Sequence, residues 1–249
     1  NHLEGHLYSF LLKQKRINSK FQIPNSKFLF PAVALIVSGG HTILLLMKNL
    51  TAWKKLGETR DDAAGEAFDK VARLLNLPYP GGPHLEKLAK YGSSTSIDFP
   101  RPMINQKNYD FSFSGLKTAV LYYLRDHKNI RTSDVRSIDN GNFGTSDVQK
   151  LKSDIAASFQ RAAFDVLIAK TFRAAREFKA QSILLSGGVA NNKSLRQTFR
   201  KEAQKKKINF LAPSLEFTTD NAAMTAAAAY FNYLKNKKSR LIAQSNLNI

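Results

Sequence analysis

The chain has 249 residues, 43% of them hydrophobic and 17 of them Phe, enough for a substantial core in one large domain or two lobes, which excludes wholesale disorder. Against 19 Asp and Glu stand 38 Lys and Arg, and the formal charge of +19 either draws polyanions through long-range attraction and counterion release or reflects compositional bias. No cysteine is present, which excludes disulfides, thiolate metal ligands and a cysteine nucleophile within the sequence, and no apolar run approaches the roughly 20 residues of a spanning helix.

In chain order, residues 2–13 read as a helix with Leu3, Leu7, Phe10 and Leu11 on one side, and the sequence opens inside it as a processed or truncated start would. A polar linker runs on through Asn25. The apolar runs 32–37 and 42–47 are joined by Ser38-Gly39-Gly40-His41, which is hairpin chemistry. Residues 61–77 form a helix stopped by Pro78-Tyr79-Pro80-Gly81-Gly82, and Pro83 suits the first turn of a helix over 83–91. The stretch 99–115 is irregular and 116–126 helical, while 128–148 is polar and reads as a mobile surface loop. A long helix over 149–178 supplies core contacts from Ile155, Phe159, Phe164, Leu167 and Phe172. A strand at 182–186, a helix at 193–206, a short strand at 210–212 and a small-residue helix at 221–235 complete an α/β pattern.

The triplet Ser-Gly-Gly closes an apolar run twice, at Ser38-Gly39-Gly40 and at Ser186-Gly187-Gly188. The second is strand, glycine pair, then helix, where backbone amides and the helix dipole suit an anion or a nucleotide. Many such turns carry Gly-Gly merely to turn, and that reading stands beside it. Asn192 adds a polar group that suits a ribose or base. The first copy is an ordinary tight hairpin or a loop that wraps phosphate with its amides.

His2 and His6 are four apart, about 40° from one another around a helix, which is ligand spacing for a divalent metal. Glu4 lies about 200° round from His2, so the general-base arrangement of a zinc protease is missing. Asp220, at a loop-to-helix junction, is a candidate third ligand, with a helix N-cap as its ordinary alternative. Asp62, Glu66 and Asp69 fall at i, i+4 and i+7 and form one carboxylate stripe. Asp69, late in the helix, gains nothing from the N-terminal dipole and is the better candidate for a polar ligand contact. The basic clusters at Lys201, Lys205-Lys206-Lys207 and at Lys235, Lys237-Lys238, Arg240 are solvated faces or contacts to an RNA backbone.

Taken together and in this order, His-Leu-Glu-Gly-His, Val-Ser-Gly-Gly-His-Thr, Gly-Glu-Thr-Arg-Asp-Asp-Ala-Ala-Gly-Glu-Ala-Phe-Asp-Lys, Tyr-Pro-Gly-Gly-Pro, Phe-Ser-Phe-Ser-Gly-Leu-Lys-Thr, Leu-Ser-Gly-Gly-Val and Thr-Thr-Asp-Asn-Ala-Ala-Met closely resemble the Kae1/TsaD/Qri7 family of tRNA N6-adenosine threonylcarbamoyltransferases. The basic, Lys- and Asn-rich composition looks most like the mitochondrial Qri7 branch. The resemblance implies an α/β ASKHA fold, the actin, Hsp70 and sugar-kinase architecture, in which two lobes clamp a nucleotide. Residues 1–30 would end the first lobe and carry the metal-binding helix. Residues 31–249 would form the second, with a helical insertion at about 60–150. Family chains carry a further N-terminal segment supplying most of the first lobe, so this sequence reads as a fragment or an incomplete record.

The activity so implied is transfer of threonylcarbamoyl from threonylcarbamoyl-AMP to N6 of adenosine 37 in ANN-decoding tRNAs, releasing AMP. An ASKHA ATPase or kinase and a non-catalytic tRNA-binding module are the alternatives. The family's ligands for one divalent metal ion per subunit, iron or zinc, fall on His2, His6 and Asp220. Its substrate-binding positions fall on Ile36, Val37, Ser38, Gly39, Gly40, Asp69, Gly82, Glu86 and Asn192. The partners so implied are tRNA, threonylcarbamoyl-AMP and a second copy of the chain, with no membrane. The implied location is the mitochondrial matrix, with a bacterial-type cytoplasm as the alternative.

Overall fold

The computed structural model describes residues 1–12, 29–126 and 146–235. The polar linker and nearly all of the loop expected over 128–148 lie outside the described residues, and residues 146–148 already belong to a helix.

One sheet organises the chain, with strands β1 Ala32–Val37, β2 Thr42–Met47, β3 Trp53–Glu58, β4 Ser182–Ser186 and β5 Asn209–Leu211 in the order β3-β2-β1-β4-β5. The β3-β2-β1 side is antiparallel and the β1-β4-β5 side parallel. β1 and β2 are buried along their whole length, so both read as continuous apolar runs. The sequence pattern does not announce β3. It is an edge strand carrying Lys54 and Lys55 outward, the usual protection of an open edge, and its register shifts at Leu44/Leu45 of its partner.

The helices are α1 His2–Tyr8, α2 Ala64–Leu74, α3 Gly81–Ala89, α4 Ser114–Asp126, α5 Ser146–Glu177, α6 Lys193–Lys205 and α7 Ala222–Leu234. Alternate residues of β1 split between two cores. Val33, Leu35 and Val37 face a core with α2, α3, α4 and α5, whereas Ala32, Ala34 and Ile36 face Leu3, Leu7 and Tyr8 of α1 and Phe231 of α7. α1 is shorter than expected, ending in a single 3-10 turn at Ser9–Leu11. It is fixed from below: Tyr8 stacks on Phe231 with centroids 4.3 Å apart, and its hydroxyl donates to the Leu50 carbonyl at 2.7 Å. Such a pair contributes about 1 kcal/mol beyond its area, and here it sets the face that α1 presents.

α2 starts at Ala64, so Asp61 and Asp62 precede the helix and the expected carboxylate stripe does not form. Asp61 accepts instead from the amides of Phe113 and Ser114 (2.8 and 3.2 Å) at the start of α4 and from the Ser112 hydroxyl (2.5 Å). Asp62 pairs with Lys70 at 2.7 Å and approaches Lys117 at 3.9 Å. These acids hold helices together.

Candidate functional site

The two Ser-Gly-Gly exits are neighbours because β1 and β4 are adjacent parallel strands, paired Ile36 to Ser186, and leave the sheet at the same end. They touch. Gly187 has φ +90°, and a Cβ placed there would lie 2.3 Å from the Val37 carbonyl oxygen, so only glycine lets the second exit pass the first. Gly65 does the same for α2: a Cβ there would lie 2.5 Å from the Ser38 carbonyl, which accepts from the Gly65 amide at 3.2 Å. The buried Thr42 hydroxyl accepts from the Ala64 amide at 2.9 Å, so hairpin and helix are docked.

Within the hairpin turn the Ser38 amide donates to the His41 carbonyl (2.8 Å), and the His41 amide to the Ser38 hydroxyl (3.1 Å). The exposed Gly39 and Gly40 amides have no partner among the described residues and are the turn's available donors. Ile36 and Val37, the other two positions expected at this end, are fully buried strand residues whose side chains pack into opposite cores, so only their backbone can face the turn.

Beside the turn, His2, His6 and Asp220 converge, with ligand atoms all within 4.8 Å of one another. The Asp220 carboxylate lies 3.2 Å from His6 Nε2 and 3.5 Å from His2 Nε2, and the two rings meet edge to face at 4.7 Å. The N-cap alternative for Asp220 fails, because Asn221 caps α7 through the Met224 amide at 2.8 Å. Burial, and then the neighbouring His2, hold the His6 imidazole below its ordinary pKa against the pull of Asp220, which favours the neutral, ligating form. Burial and then His2 lower His41 likewise. Two imidazoles and a carboxylate with this spacing fit a divalent transition metal. Glu4 turns away: it is buried and accepts from Asn232 of α7 at 2.6 Å.

The cavity of about 500 Å³ at this cluster is lined by Ser38, Gly39, Gly40 and His41. A second cavity, of about 270 Å³, is lined by Phe68, Asp69, Gly82, Glu86 and Asn192. Gly39, Gly188 and Thr219 belong to both, so the two are halves of one cleft. Thr219 and Phe68 lie within two of the quoted motifs, yet the sequence assigns them no role because each stands beside a carboxylate, Asp220 or Asp69, that carries the stronger signal.

In the second half the acids have fixed orientations. Asp69 Oδ1 accepts from the Gly81 and Gly82 amides at 2.8 and 3.2 Å, at the start of α3. Glu86 Oε1 accepts from the Lys193 and Ser194 amides at 2.9 and 3.4 Å, at the start of α6. Each carboxylate keeps its other oxygen, and neither has a cationic partner among the described residues. Asn192 differs from expectation. Its Oδ1 caps α6 through the Leu195 amide (2.9 Å) and its Nδ2 donates to Gln160 Oε1 (3.1 Å), so it forms cleft wall with both polar ends engaged.

A mixed sheet flanked by helices, with a split cleft where parallel strands end, makes this an α/β protein, and its structural likeness places the fold in the ASKHA type. Its fold resembles full-length HypF, solved in a phosphate- and nucleotide-bound form, with TM-score 0.60 at 12% identity over 96% of this chain and 43% of that one. Residues 1–227 match the profile of TsaD, tRNA N6-adenosine threonylcarbamoyltransferase, and the chain belongs to that family. The proteins of that name from Thermosipho africanus and Clostridium botulinum strain Hall are 45% and 42% identical over 100% and 97% of this chain. The chain spans 67% of the first and 63% of the second.

Proposed function

We propose that this chain transfers threonylcarbamoyl from threonylcarbamoyl-AMP to N6 of adenosine 37 in ANN-decoding tRNAs. The observation that carries this reading is the continuity of the cleft, with a His-His-Asp cluster at one end and a nucleoside-scale cavity at the other, joined through Gly39, Gly188 and Thr219. Transfer forms the bond between N6 and the carbonyl carbon and breaks the bond from that carbon to the phosphate oxygen, which takes the electron pair as AMP leaves. N6 loses one proton, which passes to the departing phosphate or to water.

His2, His6 and Asp220 would hold a divalent ion, iron or zinc, which supplies Lewis-acid charge stabilisation at the phosphate end when bound. The Gly39 and Gly40 amides donate to the phosphate oxygens on which charge develops. The second oxygens of Asp69 and Glu86 accept from ribose hydroxyls, pre-oriented by the helix amides that hold the first. Asn192 and Phe68 shape the wall and exclude water.

The Lys- and Asn-rich composition supports placing the chain in the mitochondrial branch, acting as a homodimer in the matrix. A bacterial-type cytoplasm is the alternative. Among the described residues no helix is long and apolar enough to cross a membrane. Incubating the protein with donor and tRNA, then analysing the digested nucleosides, tests the activity. His2→Ala/His6→Ala should abolish bound metal and transfer while leaving the circular dichroism spectrum intact. Undiminished modification by that variant overturns the cluster's role.

A further inference from the structure

The basic run at Lys205-Lys206-Lys207 is not used by the cleft, and the fold gives it neighbours. At the opposite end of the sheet, where β4 begins, a cavity of about 840 Å³ opens between the C-terminal ends of α5 and α6. Arg173, Arg176 and Lys179 enter it from α5 and the turn after it, and Lys206 and Lys207 from the turn after α6. The one acid on its wall is Glu202, already paired with Lys205 at 2.7 Å. None of the five cations has an ion-pair partner among the described residues. The helix C-termini, each equivalent to about half a negative charge, welcome one cation apiece and leave most of the positive charge uncompensated.

Two backbone features set this cluster apart from a solvated face. Both helices end in the same motif, in which the second residue past the helix is left-handed and the next amide reaches back five residues. The Ala180 amide reaches Ala175 and the Ile208 amide reaches Ala203, at 2.8 and 2.9 Å. The left-handed position belongs to glycine or asparagine, and α2 duly uses Asn76. Here it holds Lys179 (φ 49°) and Lys207 (φ 55°), both on the cavity wall. Strained conformations maintained beside a cavity point to function there. In addition, Lys206 Nζ lies 6.0 Å over the ring of Phe172, which with Ile208 gives the cavity apolar walls, while Arg173 is held at its edge by the Asn108 carbonyl and the Tyr109 ring and leaves the other four cations as the free charge.

We propose that this cavity is a phosphate-binding site separate from the transfer cleft, taking neighbouring phosphate groups of an RNA backbone or of a free oligophosphate. It does not depend on the function proposed for the cleft. The test is binding of tripolyphosphate by calorimetry and of a fluorescein-labelled 15-nucleotide RNA by anisotropy. The proteins compared are the unsubstituted chain, Arg176→Gln/Lys179→Gln/Lys206→Gln, and a charge-matched control, Lys48→Gln/Lys87→Gln/Lys90→Gln, at exposed lysines elsewhere. The cavity variant should lose at least tenfold in affinity, and its slope of log affinity against log salt should flatten by about 2–3 for three lost phosphate contacts. Loss with both probes assigns the site to phosphate of either source, and loss with RNA alone assigns it to the nucleic-acid backbone. Equal loss in the control, or unchanged affinity in the cavity variant, overturns the proposal. Should the triple variant misfold, Lys207→Gly, which suits its backbone position, must still weaken binding.

Discussion

Gly187 and Gly188 are adjacent, yet the structure gives them separable roles, and alanine at each makes a paired prediction. At Gly187 a methyl group would sit 2.3 Å from the Val37 carbonyl oxygen, where real contacts do not fall below 3.0 Å, and the backbone is at φ +90°. With ψ at 167° this backbone region is essentially reserved for glycine and costs an L-residue about 1–3 kcal/mol. Displacing a central strand to relieve the overlap costs about 1–3 kcal/mol more. Gly187→Ala should therefore lose about 2–6 kcal/mol, read as a lower urea midpoint at unchanged slope. At Gly188 a Cβ meets nothing within 4 Å, and the open space beside it is the cleft, whose two halves it lines. Gly188→Ala should unfold within about 0.5 kcal/mol of the parent while binding AMP less tightly by equilibrium dialysis. A Gly187→Ala protein as stable as the parent would refute the crossing of the two exits. A Gly188→Ala protein that binds AMP normally would refute the cleft between them.

The remaining predictions concern side chains at and beyond the cleft. Asn192→Ala removes the α6 cap and leaves buried Gln160 unpaired, for a loss of about 1–3 kcal/mol in chemical denaturation; Asn192→Asp, which keeps the capping oxygen, should recover most of it. Lys170 is fully buried, and burial followed by Arg173 pushes its amine down to about 8. Because the unfolded chain holds that proton up to about 10.5, the group costs stability below pH 8 and the cost fades as pH rises from 8 to 10.5. Lys170→Met should add about 1–3 kcal/mol at pH 7 and flatten the rise between pH 8 and 10.5 in urea titrations; a steeper rise would contradict the sign. Lys207→Gly should add about 0.5–1 kcal/mol by releasing left-handed strain, measured by thermal unfolding.

The sequence exposes the parts of the fold with strong local signals and hides those decided by tertiary packing. β1, β2 and β4 are legible as apolar runs, and His2 and His6 as a ligand pair, because helical spacing alone puts them on one face. β3 is hidden because an edge strand with outward lysines has little periodicity. The start of α2 is misplaced because Asp61 is used by residues 112–114, about fifty positions away, a demand no local window contains. Asn192 suggests a ligand contact from its place after Gly-Gly, but its partners, Leu195 and Gln160, make it structural first. Whether Asp220 caps a helix or faces the histidines rests on one residue: Asn221 takes the cap, and the acid is left for the cluster.

The repeated strand-to-glycine exit has a geometric cause. Two neighbouring parallel strands that end at one edge must both turn there, and the turns collide unless one lacks a side chain; Gly187 lacks one. Beside that crossing, Gly39, Gly40 and Gly188 leave open space along the seam between the His-His-Asp cluster and the nucleoside-scale cavity. Helix starts then converge on that seam: α2 docks on the hairpin, α3 is held by Asp69, and α6 by Glu86 and Asn192. The acids that orient these helices, Asp69 and Glu86, also line the cleft. Removing the Asp69 or Glu86 carboxylate therefore loosens α3 or α6 as well as ligand binding, so substitution there moves stability and affinity together, whereas at Gly188 only affinity moves.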